Sequence, residues 1–178
     1  MEKKQFQEEF DEARIYYDSL LDRDLFSLFK KSQLTLSIAE GYTGGLISQR
    51  ISKFHGSHTF FKAGLISADI KTQIKLFNIS PSVIRKHGLN SIESINSILE
   101  SLNKIYNTDI CIANIGTKHN DNTTEESCFF GIKINNEIKT KQLLLSGGLE
   151  TKRKTVIQSS LSILKTSLQN KVLNLQTT

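Results

Sequence analysis

Leu34-Thr-Leu-Ser-Ile-Ala-Glu-Gly-Tyr-Thr-Gly-Gly45, followed by Leu46 to Ile51, joins a strand pattern to a helix pattern through a glycine turn. It begins as an alternation of Leu34, Leu36 and Ile38 with Thr35 and Ser37 between, the pattern of a half-buried strand. It then passes a carboxylate (Glu40), a glycine (Gly41), a hydroxyl (Thr43) and a glycine pair (Gly44, Gly45), and enters a helical pattern. A strand that turns through glycines into a helix leaves backbone N–H groups open to an anion or a developing oxyanion. The same turn also serves as a tight connection with no ligand.

Working outward, 178 residues suit one domain with a sizeable core. Cys111 and Cys128 form neither a disulfide framework nor a metal knuckle, and read as small buried hydrophobes in a reducing compartment. No apolar run approaches the roughly 20 residues of a membrane span. Met1-Glu-Lys-Lys-Gln5 lacks the apolar core of a secretory signal, so the expected location is the cytoplasm. The net charge of +5 is dispersed; it suits weak attraction to phosphate rather than nucleic-acid binding.

Upstream, Phe6, Phe10, Ala13, Tyr17, Leu20 and Leu21 recur at helical spacing. Asp22 or Asp24 is placed to cap a second helix, Leu25 to Lys31. We divide the chain into a helical extension, 1–23, and a domain, 24–178. Downstream, Thr43 caps a helix to about Lys53, stopped by Gly56. Gly64–Ser67 reads as a strand, Ile70–Phe77 as a short helix, and Pro81 opens another that ends at His87-Gly88. Ser91 caps an amphipathic helix, Ile92 to Tyr106. Asp109–Ile115 is apolar enough for a strand buried on both faces. After the polar loop 116–127 come strands Phe129–Ile134 and Glu137–Leu145, joined by Asn135-Asn136, and a last helix, Thr151 to Leu173. This order predicts an α/β domain of three layers, α/β/α, with a mixed, mostly parallel sheet of about five strands covered by helices on both faces.

At this point the residues carry a resemblance. The opening stretch resembles the A-E-S-x-T-G-G motif of the CinA C-terminal domain family, the nicotinamide mononucleotide deamidases. The match continues through Gly56-Ser57, Phe61, Gly64, Leu76, His87-Gly88 and Ser91. Asp109–Gly116 is similar to the strand that leads into the family's T-G-I-A-G-P loop, and Gly147 and Arg153 to its G-x-R-x-x-x-R stretch. The resemblance covers roughly residues 24–170. It implies the three-layer fold and, in the parent family, hydrolysis of the nicotinamide amide with release of ammonia.

The departures fall on the chemistry. The family's serine, its proposed nucleophile, is Gly41, which has no side chain to attack a carbonyl. Its tyrosine and lysine correspond to Ala68 and Gln73, and glutamine cannot accept a proton as a base. The loop threonine falls on Ile115, the loop glycine and proline on His119 and Asn120, and the first arginine of the last motif on Leu149. Nucleophile, base and part of the anion clamp are lost together, and such residues act as a unit.

No catalytic residue is therefore assigned. Glu40, Gly41, Thr43, Gly44, Gly45, Gly116 and Arg153 are the candidate residual pocket for a nucleotide or other phosphate-bearing small molecule. A rebuilt Thr43–Lys71 pair is the remaining catalytic candidate, set against Thr43 as a helix cap. His55, His58, His87 and His119 are scattered, and no metal or cofactor is expected. Lys152-Arg153-Lys154 places positive charge at a helix start, against the dipole, which hints at an anionic contact. The partners expected are a nucleotide-like ligand and a second copy of the chain, with neither nucleic acid nor membrane. The favoured reading is an inactive, CinA C-terminal-like binding or assembly module. The alternative is an active deamidase with a rearranged site.

Overall fold

The computed structural model describes residues 20–116 and 126–176. Five strands, β1 (Leu36–Glu40), β2 (Phe61–Ile66), β3 (Ile110–Gly116), β4 (Glu126–Ile134) and β5 (Glu137–Leu145), make one sheet in the order β2-β1-β3-β4-β5. β1 pairs in parallel with β2 and β3, while β3–β4 and β4–β5 are antiparallel, so the sheet is mixed in equal parts.

Alternating strand residues divide between two cores. Leu36, Ile38, Ile110, Ile112, Ile132 and Ile134 pack under a helix over 20–32 (α1), α2 (Leu46–Ser52) and α6 (Leu149–Gln176). Ala39, Cys111, Ala113 and Ile115 pack on the opposite face under α5 (Ile92–Tyr106), with Phe77 and Ile79 from the segment joining α3 (Ile70–Leu76) to α4 (Pro81–His87). Helices on both faces explain why β1 is buried at every position instead of half-buried. Of its two polar residues, Ser37 is fully buried and satisfied by the Thr108 hydroxyl at 2.7 Å.

The local signals act as the sequence predicts at several ends. Ser91 accepts from the N–H of Ser94 and Pro81 stands in the first turn of α4, while Ser80, which sequence reasoning did not single out, accepts from the N–H of Val83. Asn135, at φ 53°, turns the β4–β5 hairpin. Two further expectations change. α1 runs unbroken over 20–32, so Asp22 and Asp24 lie inside a helix and cap nothing; the boundary drawn at 23/24 falls within it. Asp22, buried, instead receives Arg50 through Nε at 3.1 Å and Nη2 at 2.6 Å, together with Lys53, and Asp24 pairs with Lys165 at 2.5 Å. These carboxylates tie α1 to α2 and α6 instead of to its own backbone. The expected helical pattern before residue 20 lies outside the described residues. Among the described residues no helix is long and apolar enough to cross a membrane.

The α5–sheet contact depends on Gly131. A Cβ there would lie 2.6 Å from Ile95 Cγ2 and 2.9 Å from Leu99 Cδ1. Packed cores resist added volume, so Gly131→Ala should destabilise by about 1–3 kcal/mol. Urea unfolding monitored by circular dichroism checks this; an unchanged midpoint would refute the packing argument.

Candidate functional site

The turn after β1 is braced by two buried polar side chains, Glu40 and Asn114, both with no exposed surface. Glu40 Oε2 accepts from Thr43 Oγ1 at 2.6 Å, Gly45 N at 3.1 Å and Ile47 N at 3.0 Å. Its Oε1 accepts from Ser48 N at 2.8 Å and Ser48 Oγ at 2.5 Å. Asn114 Oδ1 accepts from Tyr42 N at 3.0 Å and Thr43 N at 3.1 Å, Asn114 Nδ2 donates to Thr43 Oγ1 at 2.9 Å, and the Asn114 carbonyl accepts from Gly41 N at 2.8 Å. Glycine is required at 44 and 45, where φ is 66° and 95°.

This arrangement changes the expected role of the turn. The N–H groups of Gly41, Tyr42, Thr43, Gly45, Ile47 and Ser48 are taken by Glu40 and Asn114, so an anion finds few backbone donors there. Thr43 does not cap α2. The cap position is Gly45, which has no side-chain cap bond, and the Glu40 carboxylate supplies the capping acceptor from the preceding strand. A negative group at a helix start also suits the dipole. Thr43, fully buried between Glu40 and Asn114, has no bond to Lys71, which is exposed on α3.

Gly41 and Gln73 are structurally coupled. A Cβ on residue 41 would stand 2.8 Å from Gln73 Nε2 and 3.1 Å from both the Asn114 carbonyl oxygen and Ile115 Cγ2. The Gln73 amide, buried, donates to the Ser67 carbonyl at 2.7 Å. Space for a nucleophile's side chain is thus held by Gln73 and Ile115.

Beside this turn lies a cavity of about 490 Å³, walled by Gly41, Tyr42, Gly44, Ile66 and Ala68 on one side and by Gly147–Leu149, Lys152, Arg153 and Glu126 on the other. Its polar part is a cluster that sequence reasoning missed. Tyr42 Oη donates to Glu126 Oε2 at 3.0 Å, and Lys152 Nζ lies 3.1 Å from the same oxygen; all three residues are buried. In sequence Glu126 falls within the polar loop 116–127, whereas the structure makes it the first residue of β4. Only the fold brings it to the start of α6. Burial raises the Tyr42 phenol well above its ordinary range, the Glu126 bond adds to this, and nearby Arg153 opposes it. Burial likewise raises the Cys128 thiol. Arg153 Nε is buried without a hydrogen-bond partner, and its Nη2 would lie 3.7 Å from a Cβ on Gly44.

Of the seven candidate pocket residues, Gly41, Gly44 and Arg153 line the cavity. Glu40, Thr43 and Gly45 bind within the turn. Gly116 is covered by the Tyr42 ring, since a Cβ there would meet Tyr42 Cδ2 at 2.4 Å. Leu149, where the family has an arginine, is 56% exposed at the cavity rim. Among the described residues no group of three or more His, Cys, Asp or Glu side chains is placed to hold a metal. His119 and Asn120 lie outside the described residues.

A three-layer α/β/α domain with a carboxylate-braced glycine turn over a small-molecule-sized cavity is the class that fold and site define. A sequence model of the CinA C-terminal domain matches residues 18–168, and the chain belongs to that family. It is 31% identical over 157 residues to a CinA-like protein of Dictyoglomus thermophilum, covering 86% of this chain and 38% of that protein. It is 28% identical over 138 residues to one of Petrotoga mobilis, covering 75% of this chain and 34% of that protein. The chain thus spans under two-fifths of these relatives' lengths. The fold is shared with a competence or damage-inducible protein from Enterobacter asburiae (TM-score 0.76, 23% identity, 83% of this chain and 96% of that one). It is shared also with competence damage-inducible protein A from Klebsiella pneumoniae (TM-score 0.77, 17% identity, 85% and 97%).

Two outcomes follow for the turn and the cluster. Glu40→Gln turns an acceptor into a donor facing N–H groups, and should cost about 1–3 kcal/mol or more in chemical unfolding; a neutral result would overturn the bracing role. Above pH 9–10, the ordinary range of the two groups, the unfolded chain releases the Cys128 and Tyr42 protons while the folded chain keeps them. Stability should therefore fall as pH rises through that range, and Tyr42→Phe should flatten the decline. Melting temperatures from pH 8 to 11 test this.

Proposed function

We propose that the chain is a binding module of the CinA family that takes a small phosphate-bearing molecule, a nucleotide in the first instance, without hydrolysing it. The single observation that carries this reading is the cavity beside Gly41–Gly44, with Arg153 at its wall and Nε buried without a partner. A guanidinium suits phosphate because its planar fork can donate two parallel hydrogen bonds. The cavity's volume falls within the ordinary range for small-ligand sites.

The absence of turnover is argued from Gly41 and Gln73. No side chain stands where the family's serine would attack, and the Gln73 amide fills that space as a donor to Ser67. A second reading, a deamidase with a rebuilt site, draws on the Tyr42–Glu126–Lys152 cluster. It supplies a carboxylate and an ammonium at the cavity wall, where general acid–base chemistry could act on an amide. Glu126 Oε2 is already engaged by both Tyr42 and Lys152, which favours the binding module.

Purified protein should release no ammonia from nicotinamide mononucleotide above background. Turnover of about 1 per second or more would overturn the inactive reading. Gly41→Ser with Gln73→Lys should not restore activity, because Ala68, Ile115 and Leu149 also differ. Nucleoside monophosphates should raise the melting temperature, as ligands that bind only the folded state do. Arg153→Ala should weaken binding about ten- to a hundredfold, the loss of one charge-assisted bond of roughly 1.5–3 kcal/mol. If wild type shows no stabilisation, or if Arg153→Ala binds equally well, the pocket reading fails.

A further inference from the structure

A second cavity of about 520 Å³ lies between α2 and the start of α6, and its wall includes Leu46, Gln49, Glu150 and Ile157. It shares Leu149 and Arg153 with the cavity described above, so the first turns of α6 form a partition with space on either side. We propose that the two cavities are lobes of one site, and that the ligand is a two-part molecule joined through phosphate, a dinucleotide. This rests on the pocket reading of the preceding section and extends it.

Three observations carry the proposal. The first is the position of Arg153, which belongs to both walls and whose Nε lacks a partner. The neighbouring cations of the second lobe are committed: Arg50 to Asp22, and Lys154 to Glu150 at 2.7 Å. Lys152, in the first lobe, is committed to Glu126. An anionic linker thus meets its cation at the partition, not at the far end of either lobe. The second is the chemistry of the lobes. Each offers an aliphatic or aromatic wall, Tyr42 and Ile66 in one and Leu46 and Ile157 in the other, with polar side chains at its edge. Such walls suit the flat faces of bases, whose edges carry the polar atoms. The third is the exposure of Leu149, whose side chain is 56% exposed at the partition and is shared by both lobes. A ligand crossing the partition would cover it.

Linking two halves that each bind makes the second contact intramolecular, so a spanning ligand binds more tightly than either part. The probes are nicotinamide mononucleotide and adenosine monophosphate as halves and nicotinamide adenine dinucleotide as the linked molecule, measured by calorimetry. Gln49→Trp, on the exposed side of α2, would fill the second lobe without entering the core; Glu150→Trp would do so from α6. The expected result is at least tenfold tighter binding of the dinucleotide than of either mononucleotide. Both tryptophan variants, with unchanged melting temperatures, should abolish that gain and keep the affinity of the mononucleotide held in the first lobe. If mononucleotides bind and the dinucleotide gains nothing, or if the gain survives in both variants, the second lobe is wrong and the first pocket stands. If none of the three binds, the pocket reading fails and takes this proposal with it.

Discussion

One buried carboxylate holds the functional end of this domain together. Glu40 stands at the last position of β1 with no exposure and collects five hydrogen bonds from the turn and from the first turn of α2. Burying such a group without partners would be strongly unfavourable; here each oxygen is saturated by donors that would otherwise be orphaned at a helix start. Asn114 does the same from the neighbouring parallel strand, where its register pairs it with Glu40. Strand pairing and turn geometry are therefore one structure. The path of Gly41–Gly45, the direction of α2 and the side of the cavity they form all depend on the same two side chains.

Residues 41 and 73 also belong to one arrangement. Once residue 41 lacks a side chain, the Gln73 amide and Ile115 can close on the space, and once they have closed, a side chain at 41 no longer fits without their moving. Gln73 is satisfied by Ser67, so the closed form leaves no polar group stranded. The space beside residue 41 is packed as a unit, and a side chain added there alone meets neighbours that must move to accommodate it.

Charge at the cavity follows the same logic. Lys152 stands near the start of α6, where the dipole disfavours a cation, and is buried. Glu126 offsets that cost, and the Tyr42 hydroxyl completes the cluster. Removing one partner would leave a buried charge uncompensated, which costs far more than the pair contributes. The cluster thus fixes Tyr42 over Gly116 and sets the shape of the wall, while Arg153, one residue along, keeps its Nε without a hydrogen-bond partner.

Much of the architecture was legible in the residues. Pro81, Ser91, Asn135-Asn136 and the apolar run from Ile110 set local structure through capping, turn chemistry and hydrophobic period, which act over a few residues and survive in any context. Gly41 and Gln73, set against the family's motif, carry the expectation of a missing nucleophile and base, because chemistry needs particular atoms. What sequence could not give was who meets whom. Glu40 looked like a ligand-binding group and is the brace of α2. Thr43 looked like a cap and bridges Glu40 and Asn114. Asp22 looked like a helix start and joins α1 to α2. Glu126 and Lys152, 26 positions apart, meet only because the β4–β5 hairpin returns the chain to the same end of the sheet. A polar side chain's role depends on the donor that reaches it, and for these residues strand order and helix packing, not neighbours in sequence, deliver that donor.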